Sequence, residues 1–403
     1  MRKILYILVF SLIFLFSIGL FLIYPANDNV KVLADGNNLF AFDLYKVLAR
    51  KEGNILVSPY SISSALAMTY AGARGNTKFE MKKVLHFNLE DEHLHKTFSE
   101  INNLFNAPNK NYQLAIANSL WGQIDYPFKK DFVDLIKENY GAGFYEVDFI
   151  NEENREKTRL RINKWVEDNT NNKIKDLILP DDLTYLTRLV LVNALYFKGN
   201  WEYKFDPKET NPMDFYLSKD KKLTVPMMHQ KNKFNYTEND DIQVLELPYA
   251  GGDLSMLIIL PKKEKSLEVA EKYLSLEEIN KLISDLRENY LDVYFPKFKT
   301  EKRYLLNEPL KDLGMIDPFD RNLADFSGIT GDKDLVISKM IHKTYIEVNE
   351  EGTEASAATA VILELKAVYK PIVFKADRPF IFLIRDRRTG IILFIGRIVN
   401  PLE

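Results

Sequence analysis

The chain contains no cysteine. That absence excludes disulfides, thiolate metal sites and a cysteine nucleophile, and it removes the thiol that bacterial-type lipid anchoring requires. The short signatures of the common enzyme classes are missing as well: no G-x-S-x-G elbow, H-E-x-x-H, P-loop or G-x-G-x-x-G occurs. The net charge is only −3, and no basic patch carries interleaved aromatics, so nucleic acid is not expected as a partner. There is also no Pro/Gly/Ser-rich linker, repeat period or low-complexity block to mark a boundary. Length alone would suggest two or three domains. With 46% hydrophobic and 28% charged residues, the 403-residue chain reads instead as one large globular domain.

Histidine is scarce, with five in the chain, and only His93 and His95 lie close together. On a helix those two point to different faces, so they are expected to be a solvated pair and not a metal site. His342 falls on the apolar face of a strand pattern, where a hydrogen-bonded structural histidine is expected. No nucleophile with an adjacent base is legible, so an enzyme is not expected, and no cofactor or metal is called for.

What the sequence does have begins at its N-terminus. Arg2 and Lys3 precede an apolar run from Ile4 to Tyr24, interrupted only by Ser11, Ser17 and Gly19. Residues 1–28 therefore read as a cleaved export signal or a retained membrane anchor through residues 4–24. In either case the positive end stays in the cytoplasm and residues 29–403 face outward, an extracellular location.

Beyond it, Asn37 is expected to cap a helix whose Phe40, Leu44, Val47 and Leu48 share one face. Ser58-Pro59 places a capping residue before a proline at the first helical position, with Ile62, Ala65, Leu66 and Thr69 as the buried stripe. Helices are expected over residues 76–85, 91–105, 128–140 and 152–169. The nearly unbroken apolar run 189–197 reads as a strand buried on both faces. Strands fit 243–248 and 254–260 about a Gly251-Gly252 turn, and a helical pair fits 266–288. A long strand at 335–348 and two strands joined by residues 386–390 complete a sheet-rich last quarter. Helices early and strands late argue an α+β fold.

Between those last elements lies EEGTEASAATAVILELKAVYK, Glu350 to Lys370. As a strand, Thr353, Ala355, Ala357, Thr359, Val361 and Leu363 form one small-to-apolar face. As a helix, its alanine run has adequate propensity. Gly352 is its one swivel. The stretch suits two local states, and nothing within it decides between them.

Five ordered motifs resemble the serpin family, a group dominated by serine protease inhibitors. EEGTEASAAT (Glu350–Thr359) is similar to its hinge and proximal reactive-centre loop, and FKADRPFIFLI (Phe374–Ile384) to its signature beyond the loop. FIGRIVNP (Phe394–Pro401) is similar to its last strand, LVLVNALYFKGNW (Leu189–Trp201) to its third central strand, and NILVSPYSISSALAM (Asn54–Met68) to its second helix. The resemblance covers about residues 36–403. It implies a single α+β domain of three β-sheets and eight to nine helices, with an exposed reactive-centre loop at about 350–370, acting as a monomer. It implies a target serine protease held as a covalent complex: the protease cuts the loop, and the freed loop inserts as a strand between the one ending at Val348 and the one at 189–197.

The resemblance also assigns residues. The hinge is Glu350, Glu351, Gly352, Thr353, Glu354, Ala355, Ser356, Ala357, Ala358 and Thr359, with the small alternate residues a closing gap needs. Ser58, Ser61, Asn193 and His342 match the polar shutter beneath the opening sheet, and Trp201 the breach where insertion starts. The family's usual spacing from Glu350 places the reactive bond at Lys366–Ala367, implying a trypsin-like target whose pocket carboxylate pairs the lysine. Cleavage after Leu365 would instead suit a chymotrypsin-like or subtilisin-like protease. A non-inhibitory carrier or chaperone is the alternative within the same fold.

Overall fold

A computed structural model of the chain describes residues 28–107, 111–141, 143–353 and 371–403. Among the described residues there are nine α-helices: α1 (Asp28–Leu48), α2 (Pro59–Tyr70), α3 (Gly75–Val84), α4 (Asp91–Asn106), α5 (Lys130–Tyr140), α6 (Glu152–Asn169), α7 (Leu267–Glu271), α8 (Leu276–Asp285) and α9 (Asn307–Asp312). The strands are β1 (Ile55–Val57), β2 (Tyr112–Gln123), β3 (Gly143–Val147), β4 (Leu189–Asn200), β5 (Asn211–Tyr216), β6 (Lys222–Glu238), β7 (Ile242–Pro248), β8 (Leu254–Pro261), β9 (Arg287–Pro296), β10 (Phe298–Leu305), β11 (Lys339–Asn349), β12 (Gly352–Thr353), β13 (Ile372–Lys375), β14 (Phe380–Asp386) and β15 (Ile392–Ile398). None of the described helices is long and apolar enough to cross a membrane, and residues 4–24 lie outside the described residues.

Local chemistry explains several boundaries. Ser58 is extended, and its side chain accepts the Ser61 N–H at 3.3 Å while Pro59 occupies the first turn, so α2 starts where the sequence places it. All twelve residues of α2 are buried, which its serines and alanines make feasible in close packing. Asn151 caps α6 by accepting the Asn154 N–H at 3.1 Å, and two glutamates in the first turn complement the helix dipole.

The start of α1 is a correction. The helix begins at Asp28, so Asn37 sits mid-helix and caps nothing. Its amide is buried and donates to the Ile392 carbonyl at 3.2 Å, tying α1 to β15.

The strands form a six-stranded sheet in the order β10-β11-β12-β4-β2-β3 and a nine-stranded one in the order β1-β15-β14-β8-β7-β6-β9-β13, with β5 on β6. The 17-residue β6 is the seam of the larger sheet: its first part pairs β5, its last residues pair β7, and β9 runs along it between. Divided there, the chain has the three sheets expected. The continuous burial of Leu189 to Phe197 reflects two covered faces. Leu189, Leu191, Leu195 and Phe197 enter the main core, while Val190, Val192, Ala194 and Tyr196 pack in a second cluster beneath α6.

One pairing sets up everything that follows. β11 and β4 are parallel neighbours from Lys339↔Val190 to Tyr345↔Tyr196. Beyond Tyr345 they separate, and β12 occupies the opening.

Candidate functional site

The chain leaves β11 through a tightly held turn. Glu350 is buried, and its carboxylate takes a 2.8 Å ion pair from Lys297 and a 2.8 Å hydrogen bond from the Thr210 hydroxyl. Burial pushes the Glu350 carboxyl upward, but the Lys297 and Thr210 hydrogen bonds and a backbone N–H outweigh it, leaving the group below the ordinary glutamate range. The Glu350 carbonyl accepts the Phe205 N–H at 2.9 Å, and the Glu351 carboxylate pairs with Lys204 at 2.5 Å.

Trp201 holds the same turn from the other side. Its indole N–H donates to the Asn349 carbonyl at 3.0 Å, and its backbone N–H donates to the Glu351 carbonyl at 2.8 Å. The breach assignment thus lands on a residue that touches the hinge itself.

Gly352 then reverses the chain with φ +147°, in the region that favours glycine. A Cβ there would lie 2.0 Å from the Gly199 carbonyl oxygen and 2.7 Å from the Asn200 Cα, so only glycine fits. Gly352 and Thr353 form β12 antiparallel to both neighbours: Val348↔Thr353 and Asn349↔Gly352 on one side, Gly352↔Asn200 and Thr353↔Gly199 on the other. Thr353 is completely buried, and its Oγ1 lies 2.9 Å from the Tyr249 hydroxyl. The hinge is therefore already seated in the sheet by two residues, which sequence reasoning did not anticipate. Glu354, Ala355, Ser356, Ala357, Ala358, Thr359, Leu365, Lys366 and Ala367 lie outside the described residues.

Further along the same seam, the structure brings together Ser58, Ser61, Asn193 and His342, the four residues the resemblance assigned to a shutter. His342 and Asn193 face each other across the β11–β4 pairing, and the His342 Nδ1–H donates to the Asn193 Oδ1. The other ring nitrogen accepts the Ser58 N–H at 3.1 Å, so both ring positions are used and the imidazole is neutral. Burial drives the His342 pKa down to about 3. The Asn193 amide donates to the Ser61 carbonyl at 2.9 Å and to the Asn118 side-chain oxygen, while the Ser61 hydroxyl also reaches Asn118 at 3.4 Å. Ser58, Ser61, Asn193 and His342 are all fully buried. Parting β11 from β4 breaks the His342–Asn193 bond.

Asn118 is a member of this cluster that the sequence reading missed. It stands opposite Asn193 in the β2–β4 pairing, and its one sequence signal was the polar pair Asn118-Ser119 between the apolar residues Ala115 to Ala117 and Leu120-Trp121. A second miss concerns the histidine pair. His93 is exposed, but His95 is buried, with its Nδ1 2.6 Å from the Tyr140 hydroxyl and the Tyr70 ring 6.4 Å away. Desolvation pushes the His95 pKa down to about 4. Among the described residues no cluster of His, Cys, Asp or Glu could hold a metal ion.

A polar cluster across two central strands, a short strand seated at one end of their seam and a three-sheet α+β architecture are the features to set beside known proteins. The family profile described as serpin (serine protease inhibitor) matches residues 35–401. An uncharacterised serpin-like protein of Thermococcus kodakarensis is 44% identical over 93% of this chain and 87% of its own length. Human leukocyte elastase inhibitor is 42% identical over 92% of this chain and 99% of its own. The crystal structure of Serpin48, described as a highly specific serpin of the insect Tenebrio molitor, superposes with a TM-score of 0.81 at 36% identity, covering 91% of this chain and 98% of that one. The chain belongs to the serpin family, whose members of this kind inhibit serine proteases and are not enzymes.

Proposed function

We propose that this serpin is a single-use inhibitor of an extracellular serine protease, trypsin-like in specificity. The protease serine attacks the Lys366 carbonyl, the Lys366–Ala367 bond breaks, the Ala367 amine leaves, and the protease remains esterified to Lys366. The freed segment then continues the strand that β12 begins, separating β11 from β4 and carrying the protease along the sheet before water can cleave the ester.

The observation that carries the reading is β12. Thr353 points into the core, and a period of two from it puts Ala355, Ala357 and Thr359 on the same side, all small enough for a closing gap. Each added residue would replace a parallel β11–β4 rung with two antiparallel ones. The small residues that follow Gly352 in the sequence, together with the seated Thr353, support this reading over a carrier or chaperone. The run from Ile4 to Tyr24 fits export of residues 29–403, with residues 1–28 as signal or anchor, and the inhibitor acts as a monomer.

Incubation with a panel of trypsin-like, chymotrypsin-like and subtilisin-like proteases tests this. An SDS-stable complex with the trypsin-like members is expected, with mass spectrometry placing the acyl bond at Lys366. Cleaved chain with no complex across the panel would overturn the mechanism, and acylation at Leu365 would reassign the target class.

A further inference from the structure

Tyr249 stands just after β7 and bridges Trp201 through an isolated β-bridge. Its ring stacks on the Trp201 indole, with centroids 4.6 Å apart and planes 15° from parallel, and meets the Phe197 ring edge-on at 5.0 Å. The residue is fully buried. A tyrosine hydroxyl in an aromatic box of this kind must find a partner, because leaving it unpaired costs about as much as the hydrogen bond it lacks. Among the described residues its hydrogen-bond partner is Thr353 Oγ1, a residue of the hinge and not of the static fold. The box is thus satisfied only while the hinge is in place.

Resting on the insertion reading above, we propose that Tyr249 is the positioning residue of the trapping reaction: its hydroxyl holds Thr353 in the sheet before cleavage, so that insertion extends an existing strand instead of nucleating a new one. The Tyr249 ring and the Trp201 indole make the floor, the Gly352 rungs to Asn200 and Asn349 make the walls, and the hydroxyl pair is the catch. Starting from a seated hinge matters because an acyl-enzyme has two fates. Either insertion proceeds, or water hydrolyses the ester and the protease escapes. Nucleating a strand is slow relative to lengthening one, since ordering the first residues is rewarded only by the contacts that follow. Loss of the catch therefore shifts the partition toward hydrolysis without altering the bond that is attacked.

The test uses the full chain and four variants. Tyr249→Phe keeps the stacking and removes only the hydroxyl, Thr353→Val keeps the volume and removes the other hydroxyl, the double variant combines them, and Thr353→Ser keeps a hydroxyl at the hinge. With Glu364 replaced by Gln in every form, so that the loop is not cut and freed there, a glutamate-specific protease acting briefly on the native protein reports how often the hinge is unseated through the rate of cleavage after Glu351 and Glu354. A hydrogen bond of ordinary strength corresponds to about a fivefold shift in that population. Cleavage is expected to rise about fivefold in Tyr249→Phe and in Thr353→Val, no further in the double variant, and to stay low in Thr353→Ser. The number of inhibitor molecules consumed per trapped protease should rise in the same order. Single variants that match the parent, or a double variant whose effect is the product of the two, would overturn the assignment. If Tyr249→Phe does not fold, the contrast between Thr353→Val and Thr353→Ser decides the matter alone. Failure of the parent chain to trap any protease would sink the insertion reading, while the hinge-cleavage comparison would still report whether Tyr249 holds Thr353.

Discussion

His342 of β11 and Asn193 of β4 stand on one rung of a parallel pairing, and their side chains hydrogen-bond across it. The strands on either side of the seam are thus joined by side chains as well as by backbone, at a point buried beneath the sheet and over α2. Whatever enters the seam must undo this bond and leave its partners satisfied in some other way.

Replacing His342 by Ala leaves the Ser58 N–H and the Asn193 amide carbonyl short of partners in a dry interior, which costs about 1–3 kcal/mol for each group so stranded. The expected result is a lower melting temperature together with easier spontaneous opening of the seam. Thermal unfolding and native gels of gently heated protein measure both. An unchanged melting temperature with no new aggregated species would contradict the role assigned to this bond.

Acid should weaken the fold in a defined window. In the folded chain His342 has a pKa of about 3 and His95 of about 4, both below the ordinary histidine value near 6.5, so below about pH 6.5 the unfolded chain binds protons that the folded chain refuses. Each histidine therefore removes about 1.4 kcal/mol of stability per pH unit as the pH falls from that point toward its folded value. Denaturant unfolding between pH 7 and pH 4.5 should show this slope, and a His95→Gln variant should show a shallower one. Glu350 has its folded pKa lowered, so its contribution is present at neutral pH and fades only as the pH falls through the carboxylate range.

Thr353→Arg should turn the inhibitor into a substrate. Thr353 is completely buried against the neutral Tyr249 hydroxyl, and a guanidinium carried into that position would lose its hydration. The loop should still be cut at its usual rate while the SDS-stable complex disappears. Complex formed at the parental yield would show that insertion does not pass through this position.

Lys366→Leu should redirect the inhibitor. A pocket built around a buried carboxylate rejects an apolar side chain by ~100-fold or more, so inhibition of trypsin-like enzymes should collapse while chymotrypsin-like ones gain. Equal inhibition of trypsin by both forms would move the reactive bond away from Lys366.

Much of the fold was readable because several elements carry more than one independent signal. β4 announces itself by an unbroken apolar run, and α2 by Ser58-Pro59 followed by a helical stripe. β3, β5, β6, β10 and β13 were not readable. β6 runs half-exposed through Lys231, Asn232, Lys233 and Asn235, and β10 carries Lys299, Glu301, Lys302 and Arg303 at a sheet edge, so neither shows the apolar pattern by which strands are recognised. Asn37 looked like a cap because asparagine is a good one, but α1 begins nine residues earlier at Asp28, and the long-range bond of the Asn37 amide to Ile392 has no local signature. His95 was taken as one of a solvated pair because it and His93 point to different helix faces, yet the face that carries His95 turns toward Tyr140. At the hinge, Gly352 was legible as a pivot. The seating of Thr353 was not, because it depends on Tyr249, more than a hundred residues away.

On its far side, the loop runs into β13, an edge strand with four parallel rungs on β9. In the intact chain the segment after Thr353 is therefore moored at both ends, to different sheets. Insertion ahead of cleavage would have to strip Ile372 to Lys375 from β9, whereas a cut at Lys366–Ala367 frees one end and leaves the other mooring untouched. Under the insertion mechanism proposed above, β13 is the guard: its four rungs on β9 keep the loop from entering the sheet until a protease cuts the tether.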